Sequence, residues 1–279
     1  MTDVSTAVDA AFLKQFESEV HNAYQQSGSK LQSTVRTKTN VKGSATTFQV
    51  IGKATARTKT RNAQLTASSV THAPVECTLT DYYAGEWIDA LDELKIGHDE
   101  RKVLAMAGAY ALGRKTDELI ITALNTATQG ASDNAAALTK ARILTAFATL
   151  NANDVPDDGE RFGLVSPEAW NQLMSIEEFS SAKYVGETHP FLTGSETRKW
   201  MGINWIMHTG LPADNNTTYH TCFIYHKTAI GFASGQDIKT DITWHGDYAA
   251  HFINNMMSQG ACLIDNKGVY VMKVLDNPT

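Results

Sequence analysis

Apolar residues near the start of the chain recur every four positions, as they do along one face of an α-helix. They are Val8, Phe12, Phe16, Val20 and Tyr24. This spacing predicts an amphipathic helix over residues 6–26. Residues 99–127 contain no proline and also place apolar side chains at helical spacing, so a longer helix is predicted there. Shorter helices are predicted at residues 138–150 and 247–259.

Strand-like patterns occupy much of the remaining sequence. The segments rich in β-branched and aromatic side chains are 76–88, 161–165, 200–208, 219–233, 237–244 and 268–275. Ser166 and Pro167 directly follow the second of these segments, and this pair is typical of an N-cap followed by the first helical position. The sequence therefore predicts an α+β fold in which strands and helices are mixed.

Residues 31–75 differ from the rest because they contain ten threonines and few bulky apolar side chains. Short β-type runs, such as residues 46–51, predict a long two-stranded excursion. So few apolar residues cannot offset the entropy of ordering the segment, and an isolated hairpin is marginally stable in water. We therefore expect this hairpin to lie on another protein surface.

Charge is strongly segregated, although the net charge is only -6. Residues 30–75 carry eight basic side chains and no acidic one, whereas residues 76–100 carry eight acidic side chains against Lys95 alone. This pattern predicts that the hairpin of one copy crosses the acidic surface of the next copy, in a head-to-tail contact that repeats until a ring closes. The candidate interface residues are Lys53, Arg57, Lys59, Arg61, Glu86, Asp89, Asp92 and Glu93.

Sequence motifs for nucleotide binding, metalloprotease chemistry and the hydrolase nucleophile are absent from the chain. The three cysteines form no C-x-x-C pair, so neither a disulfide framework nor a zinc ribbon is predicted, and a reducing compartment is expected. His220, Cys222 and His226 have even spacings that would place them on one face of a strand, which leaves a small metal-dependent enzyme as an alternative. Because a zinc site also needs a fourth ligand and a fixed geometry, we predict no metal at this set.

The order of these segments resembles the tailed-bacteriophage major capsid proteins of the Hong Kong 97-like fold. The resemblance covers nearly the whole chain. It is carried by residues 48–54, the long helix after Asp99, residues 163–170, residues 226–231 and residues 237–257. Order and spacing contribute more to it than any single motif.

The resemblance implies a division of the chain into five parts. Residues 1–30 would be an N-terminal arm and 31–75 an extended β-hairpin loop. Residues 76–160 would begin the peripheral domain and contain the long spine helix. Residues 161–236 would form the axial domain, and 237–279 would return to the peripheral domain.

The resemblance also implies a structural function, without enzymatic activity and without a cofactor. Hexamers and pentamers would tile an icosahedral phage head around double-stranded DNA, contacted non-specifically on the inner surface. The expected partners are further copies of the chain, a separate scaffolding protein and a portal, with no membrane involved. The protein would lie in the virion after assembly in the cytoplasm of the bacterial host. A shell protein of an encapsulin-type nanocompartment is the alternative within the same fold.

Overall fold

The computed structural model describes residues 25–64, 67, 70–93, 95, 99–131, 133–180, 197–214 and 218–277. The helix predicted at residues 6–26 lies outside these residues apart from its last two positions. Both positions are irregular in structure.

Helices and strands are mixed along the described chain, which confirms the predicted α+β class. The α-helices are α1 (Ala90–Glu93), α2 (Glu100–Asn125), α3 (Lys140–Ala152), α4 (Pro167–Ser175) and α5 (Glu177–Ser180). The first strands are β1 (Arg36–Lys38), β2 (Ala45–Ile51), β3 (His72–Thr78), β4 (Thr80–Asp89), β5 (Arg161–Val165) and β6 (Thr197–Trp200). The remaining strands are β7 (Ile203–Met207), β8 (Tyr219–His226), β9 (Ile230–His245), β10 (Ala250–Leu263) and β11 (Val269–Leu275).

The chain divides into two compact units. The larger unit contains Ser29–Asp81, Lys115–Asp237 and Ser258–Thr279, and the smaller unit contains Met1–Gly28, Tyr82–Arg114 and Ile238–Met257. A four-stranded sheet has the order β1-β9-β10-β4, and β1 pairs in parallel with the first residues of β9.

The main core lies in the larger unit, around a five-stranded sheet with the order β11-β8-β5-β7-β6. Strand β5 pairs in parallel with β7 and antiparallel with β8. Such a central strand is buried on both faces, and this explains why β5 and β8 carry runs of apolar residues instead of an alternating pattern. The apolar faces of α3 and α4 pack against this core through Ile143, Leu150 and Leu173.

The joint between β5 and α4 forms where the sequence predicts it. The Ser166 side chain accepts a hydrogen bond from the backbone N–H of Ala169 at 3.1 Å, and Pro167 occupies the first turn. Ser166 is buried, so the cap also satisfies a donor that water does not reach. The sequence prediction of this N-cap is confirmed.

The helix predicted at residues 247–259 is wrong, because residues 250–263 form strand β10. Burial alternates along this strand, and two of its inward residues are polar: Asn255 and Gln259. Within the larger unit, Gln259 accepts a hydrogen bond from the Thr116 hydroxyl at 2.6 Å. Within the smaller unit, Asn255 accepts one from the Thr240 hydroxyl at 2.5 Å. Buried amides therefore interrupt the apolar alternation by which a strand is recognised in a sequence.

The smaller unit contains an aromatic cluster around Trp87. The ring centroid of Trp87 lies 4.6 Å from that of Phe252, 4.9 Å from that of Tyr248 and 5.1 Å from that of His245. These separations fall in the range of favourable aromatic pairs. The cluster joins β4 to β10 and to the turn before it.

Candidate subunit-interface surfaces

The extended hairpin is anchored at its base, where β2 begins and β3 ends. Strands β2 and β3 pair antiparallel, with Phe48 opposite Val75 and Thr46 opposite Cys77. Phe48 and Cys77 are buried against Ala233 of β9, with Val41, Leu79, Cys262 and Ile264 packed around them. The sequence predicts that the hairpin leans on another surface, and at its base that surface belongs to its own chain.

Two glycines allow the hairpin to approach the sheet closely. A Cβ atom at Gly260 of β10 would lie 2.1 Å from the carbonyl oxygen of Thr78, at the end of β3. A Cβ atom at Gly231 of β9 would lie 2.7 Å from the ring of Phe48. A side chain at Gly260 would push the Thr78 backbone away from β10, and one at Gly231 would displace the ring of Phe48.

Beyond this anchored base, residues 52–64 form an exposed segment without regular secondary structure, which we call the basic loop. It carries all four predicted basic interface residues. Lys53 forms an ion pair with Asp154 of its own chain, and this pair lowers the pKa of Asp154. Among the described residues, no ion-pair partner lies near Arg57, Lys59 or Arg61.

The four predicted acidic interface residues lie in the smaller unit, where Glu86 and Asp89 belong to β4 and Asp92 and Glu93 to α1. Three of them already have contacts in the same unit. The Asp89 carboxylate accepts a hydrogen bond from the backbone N–H of Leu91 at 2.8 Å. Asp92 contacts Lys95 at 2.9 Å and Glu93 contacts Arg101 at 2.6 Å. These carboxylates raise the pKa of both cations.

Large apolar side chains are exposed in the same part of the smaller unit. Leu91 is 67% exposed and Trp87 is 46% exposed, although both belong to the acidic segment. On β9 and the following turn, Trp244 is 52% exposed and Tyr248 is 65% exposed. Exposed apolar clusters of this kind are typical of protein–protein contacts. Sequence reasoning missed this surface, although large apolar residues among acidic ones were the available signal.

Asp117 of α2 fixes the chain just before the hairpin, within the larger unit. Its fully buried carboxylate accepts hydrogen bonds from the Ser29 hydroxyl at 2.5 Å, from the Lys30 N–H at 3.0 Å and from the Leu31 N–H at 3.1 Å. His208 lies 3.1 Å away through its Nε2 atom. Because His208 Nδ1 accepts a hydrogen bond from the Gly210 N–H at 3.0 Å, Nε2 is the atom that donates to Asp117.

Sequence reasoning also missed Asp117, although its position on the apolar face of the predicted helix indicates a buried acid. Asp117 lies three, four and seven positions before Ile120, Ile121 and Leu124, which are all buried. An acid on the apolar face of a helix must find partners when that face is buried.

The residues of the metal alternative are not brought together by strand β8. Cys222 is fully buried, whereas His220 contacts Asp276 at 2.6 Å and His226 contacts Asp158 at 3.1 Å. The pKa of Asp158 is lowered, mainly by a hydrogen bond from the backbone N–H of Glu160 and less by that from His226.

Two other clusters of described residues could hold a metal by proximity alone: Asp158, Glu160 and His226, and Glu168, His220 and Asp276. In the first, His226 Nδ1 accepts from the Thr228 N–H at 3.3 Å, so Nε2 donates to Asp158 and has no lone pair for a metal. Glu160 is also engaged, because Lys227 contacts it at 3.0 Å. In the second, His220 Nδ1 lies 2.6 Å from Asp276, while the buried Oε2 atom of Glu168 has no hydrogen-bond partner.

No helix among the described residues has both the length and the apolar character needed to cross a membrane.

The fold is that of phage capsid structures. The chain is similar to the capsid structure of cyanophage P-SCSP1u, with a TM-score of 0.75, 16% identity and coverage of 97% of this chain and 95% of that one. It is similar to a structure from Mycobacterium phage Che8, with a TM-score of 0.72, 18% identity and coverage of 96% and 98%. For the capsid asymmetric unit of cyanophage Pam1, the TM-score is 0.74, the identity 12% and the coverage 99% of both chains. These likenesses confirm the Hong Kong 97-like fold.

A family model described as phage capsid protein matches residues 8–275. No curated protein matches the sequence. The chain belongs to the phage capsid protein family, and it is a major capsid protein, a structural component of the bacteriophage shell.

Proposed function

We propose that this major capsid protein assembles into hexamers and pentamers that tile an icosahedral head around double-stranded DNA. The match to the capsid family over residues 8–275 supports assembly into a shell, and so does the likeness of the fold to chains of phage capsids. In this proposal residues 1–30 act as the N-terminal arm and 31–75 as the extended loop. Residues 76–160 and 237–279 form the peripheral domain, and 161–236 the axial domain.

The basic loop of one subunit lies, in this proposal, on the acidic and apolar surface of the neighbouring subunit. The observation that carries the proposal is that the described residues of the hairpin are buried only at its base, while Arg57, Lys59 and Arg61 are exposed in the loop beyond it. A projecting segment without a core becomes ordered when a partner surface supplies one.

The receiving surface combines Glu86, Asp89, Asp92 and Glu93 with the exposed side chains of Trp87 and Leu91. Single exposed ion pairs contribute about 0–1 kcal/mol, so charge sets the orientation of the contact. Burial of the large apolar side chains supplies more of the affinity. Because the donor and acceptor surfaces differ, the contact is head-to-tail and closes as a ring of subunits.

The remaining proposed partners follow from a shell that encloses a genome. They are a separate scaffolding protein, a portal and DNA held non-specifically on the inner face. Assembly takes place in the host cytoplasm, and the protein then resides in the virion. The role is structural, without enzymatic activity.

A nanocompartment shell of the encapsulin type remains the competing function within the same fold. The match to a phage capsid family supports the phage head. The metal-dependent enzyme is not favoured. His220 contacts Asp276 and His226 contacts Asp158, while Cys222 is fully buried in the core.

Expression of the full chain followed by negative-stain electron microscopy tests the proposal. We expect closed shells or, without a scaffolding protein, rings and irregular shell fragments. A monomer at all concentrations, with and without a co-expressed scaffold, would contradict shell formation. Shells that contain a host enzyme and no nucleic acid when isolated from their source would favour the nanocompartment.

A further inference from the structure

Two cysteines meet where the hairpin is anchored. Cys77 lies in β3 and Cys262 in β10, and each thiol is the largest single influence on the pKa of the other. Both side chains belong to the apolar cluster around Phe48. The backbones of β3 and β10 also approach closely nearby, since a side chain at Gly260 would clash with the carbonyl oxygen of Thr78. The positions of the two cysteines are therefore fixed by the packing of the two strands.

We propose that Cys77 and Cys262 form an oxidation site that closes into an intrachain disulfide when the protein meets a peroxide. In the net reaction the two S–H bonds and the O–O bond of the peroxide break, and one S–S bond forms. Two electrons pass from the sulfur atoms to the peroxide oxygens. The two thiol protons leave with these oxygens, so hydrogen peroxide yields two water molecules.

The environments of the two sulfurs suit this reaction. The neighbouring Cys262 thiol lowers the pKa of Cys77, which favours the thiolate that attacks the peroxide. The Cys77 thiol and burial raise the pKa of Cys262. Cys77 is 1% exposed, but Cys262 is only partly buried, so a small oxidant reaches the pair from the Cys262 side.

Cys222 provides an internal control. It is fully buried in the main core, and burial raises its pKa to about 12. Because none of its surface reaches solvent, an oxidant cannot reach this thiol in the folded protein. The structure thus distinguishes one reactive pair from one unreactive cysteine.

The bond would fasten β3 to β10 and so fix the base of the hairpin to the sheet that contains β10. Thiols stay reduced in the cytoplasm and oxidise outside it. In a virion the bond would therefore form after assembly, once the hairpin is in its final position. The inference concerns the single folded chain and does not depend on how subunits assemble.

The test uses the reduced, folded full chain, treated with hydrogen peroxide and then alkylated in denaturant before peptide mapping by mass spectrometry. We expect a disulfide-linked peptide pair containing Cys77 and Cys262, with alkylation at Cys222 only. Alkylation of all three cysteines would overturn the proposal, and so would higher oxidation of Cys262 without a bond to Cys77.

Two variants sharpen the result. Cys262→Ser should leave both Cys77 and Cys222 available for alkylation after peroxide, whereas Cys222→Ser should leave no thiol at all. Alkylation of both remaining cysteines in peroxide-treated Cys222→Ser would contradict the pairing of Cys77 with Cys262. The mapping of the unmodified chain decides the question even if a variant fails to fold.

Discussion

The carboxylate of Asp117 accepts a hydrogen bond from the backbone N–H of Leu31 at 3.1 Å, although 86 positions separate the two residues. Both residues are fully buried. This contact fixes the chain to helix α2 just before the extended hairpin begins. The hairpin therefore starts from a rigid point, even though its basic loop is exposed.

Replacement of Asp117 by alanine should strongly destabilise the subunit. It would leave the N–H groups of Lys30 and Leu31 buried without this acceptor, and breaking a buried charged network costs about 3–5 kcal/mol. Chemical denaturation of the full chain measures the change. The neighbouring Glu118→Ala is the matched control, because Glu118 is 63% exposed and pairs only at the surface with Lys115. Equal effects of the two substitutions would contradict the role assigned to Asp117.

Ser166→Ala should lower the free energy of unfolding by about 0.5–2 kcal/mol, because α4 loses the side-chain acceptor of its N-cap. Ser175→Ala at the other end of the same helix is the control. Its hydroxyl is exposed and bonds only to the Gln172 carbonyl, so a change within about 0.5 kcal/mol is expected. A denaturation midpoint unchanged by Ser166→Ala would show that the cap contributes nothing.

Gly260→Ala should displace the hairpin base from β10, since the new methyl group would lie 2.1 Å from the Thr78 carbonyl oxygen. Overpacking of this kind costs about 1–3 kcal/mol. Gly246→Ala is the comparison, because its Cβ would meet the Trp244 ring nitrogen at an ordinary 3.7 Å. Limited proteolysis within residues 52–64, together with denaturation, measures both effects. Identical cleavage and stability in the two variants would show that Gly260 is not needed for docking.

Arg57→Glu combined with Arg61→Glu should impair assembly while the subunit still folds. Both side chains are exposed, and neither has an ion-pair partner among the described residues. Their replacement therefore removes no known contact within the chain. Particle yield by electron microscopy and subunit folding by circular dichroism are the two readouts. Arg57→Lys with Arg61→Lys keeps the charge and should assemble. A normal yield of particles from the charge-reversed protein would count against the proposed contact.

Local signals were sufficient to predict part of the fold from sequence. The β5–Ser166–Pro167 joint depends on residues that are adjacent in the chain, and the long helix α2 depends on repeated spacing within one segment. The hairpin was recognisable from its threonine-rich runs. In each of these cases, the residues that determine the element lie close together in the sequence.

The failures involve partners that are distant in sequence. Strand β10 was predicted as a helix because Asn255 and Gln259 occupy inward positions, where their amides bond to Thr240 and Thr116. Nothing near these residues in the sequence shows that such partners exist. The Lys53–Asp154 pair and the meeting of Cys77 with Cys262 are also products of the tertiary fold.

The central claim is that the basic loop of one subunit lies on the acidic surface of its neighbour. A cryo-electron microscopy map of assembled particles, with residues 52–64 traced in every copy, tests this claim most directly. The account predicts that Arg57 and Arg61 lie within ion-pair distance of acidic residues between Glu86 and Glu93 of an adjacent copy. A loop that contacts only the subunit to which it belongs would contradict it.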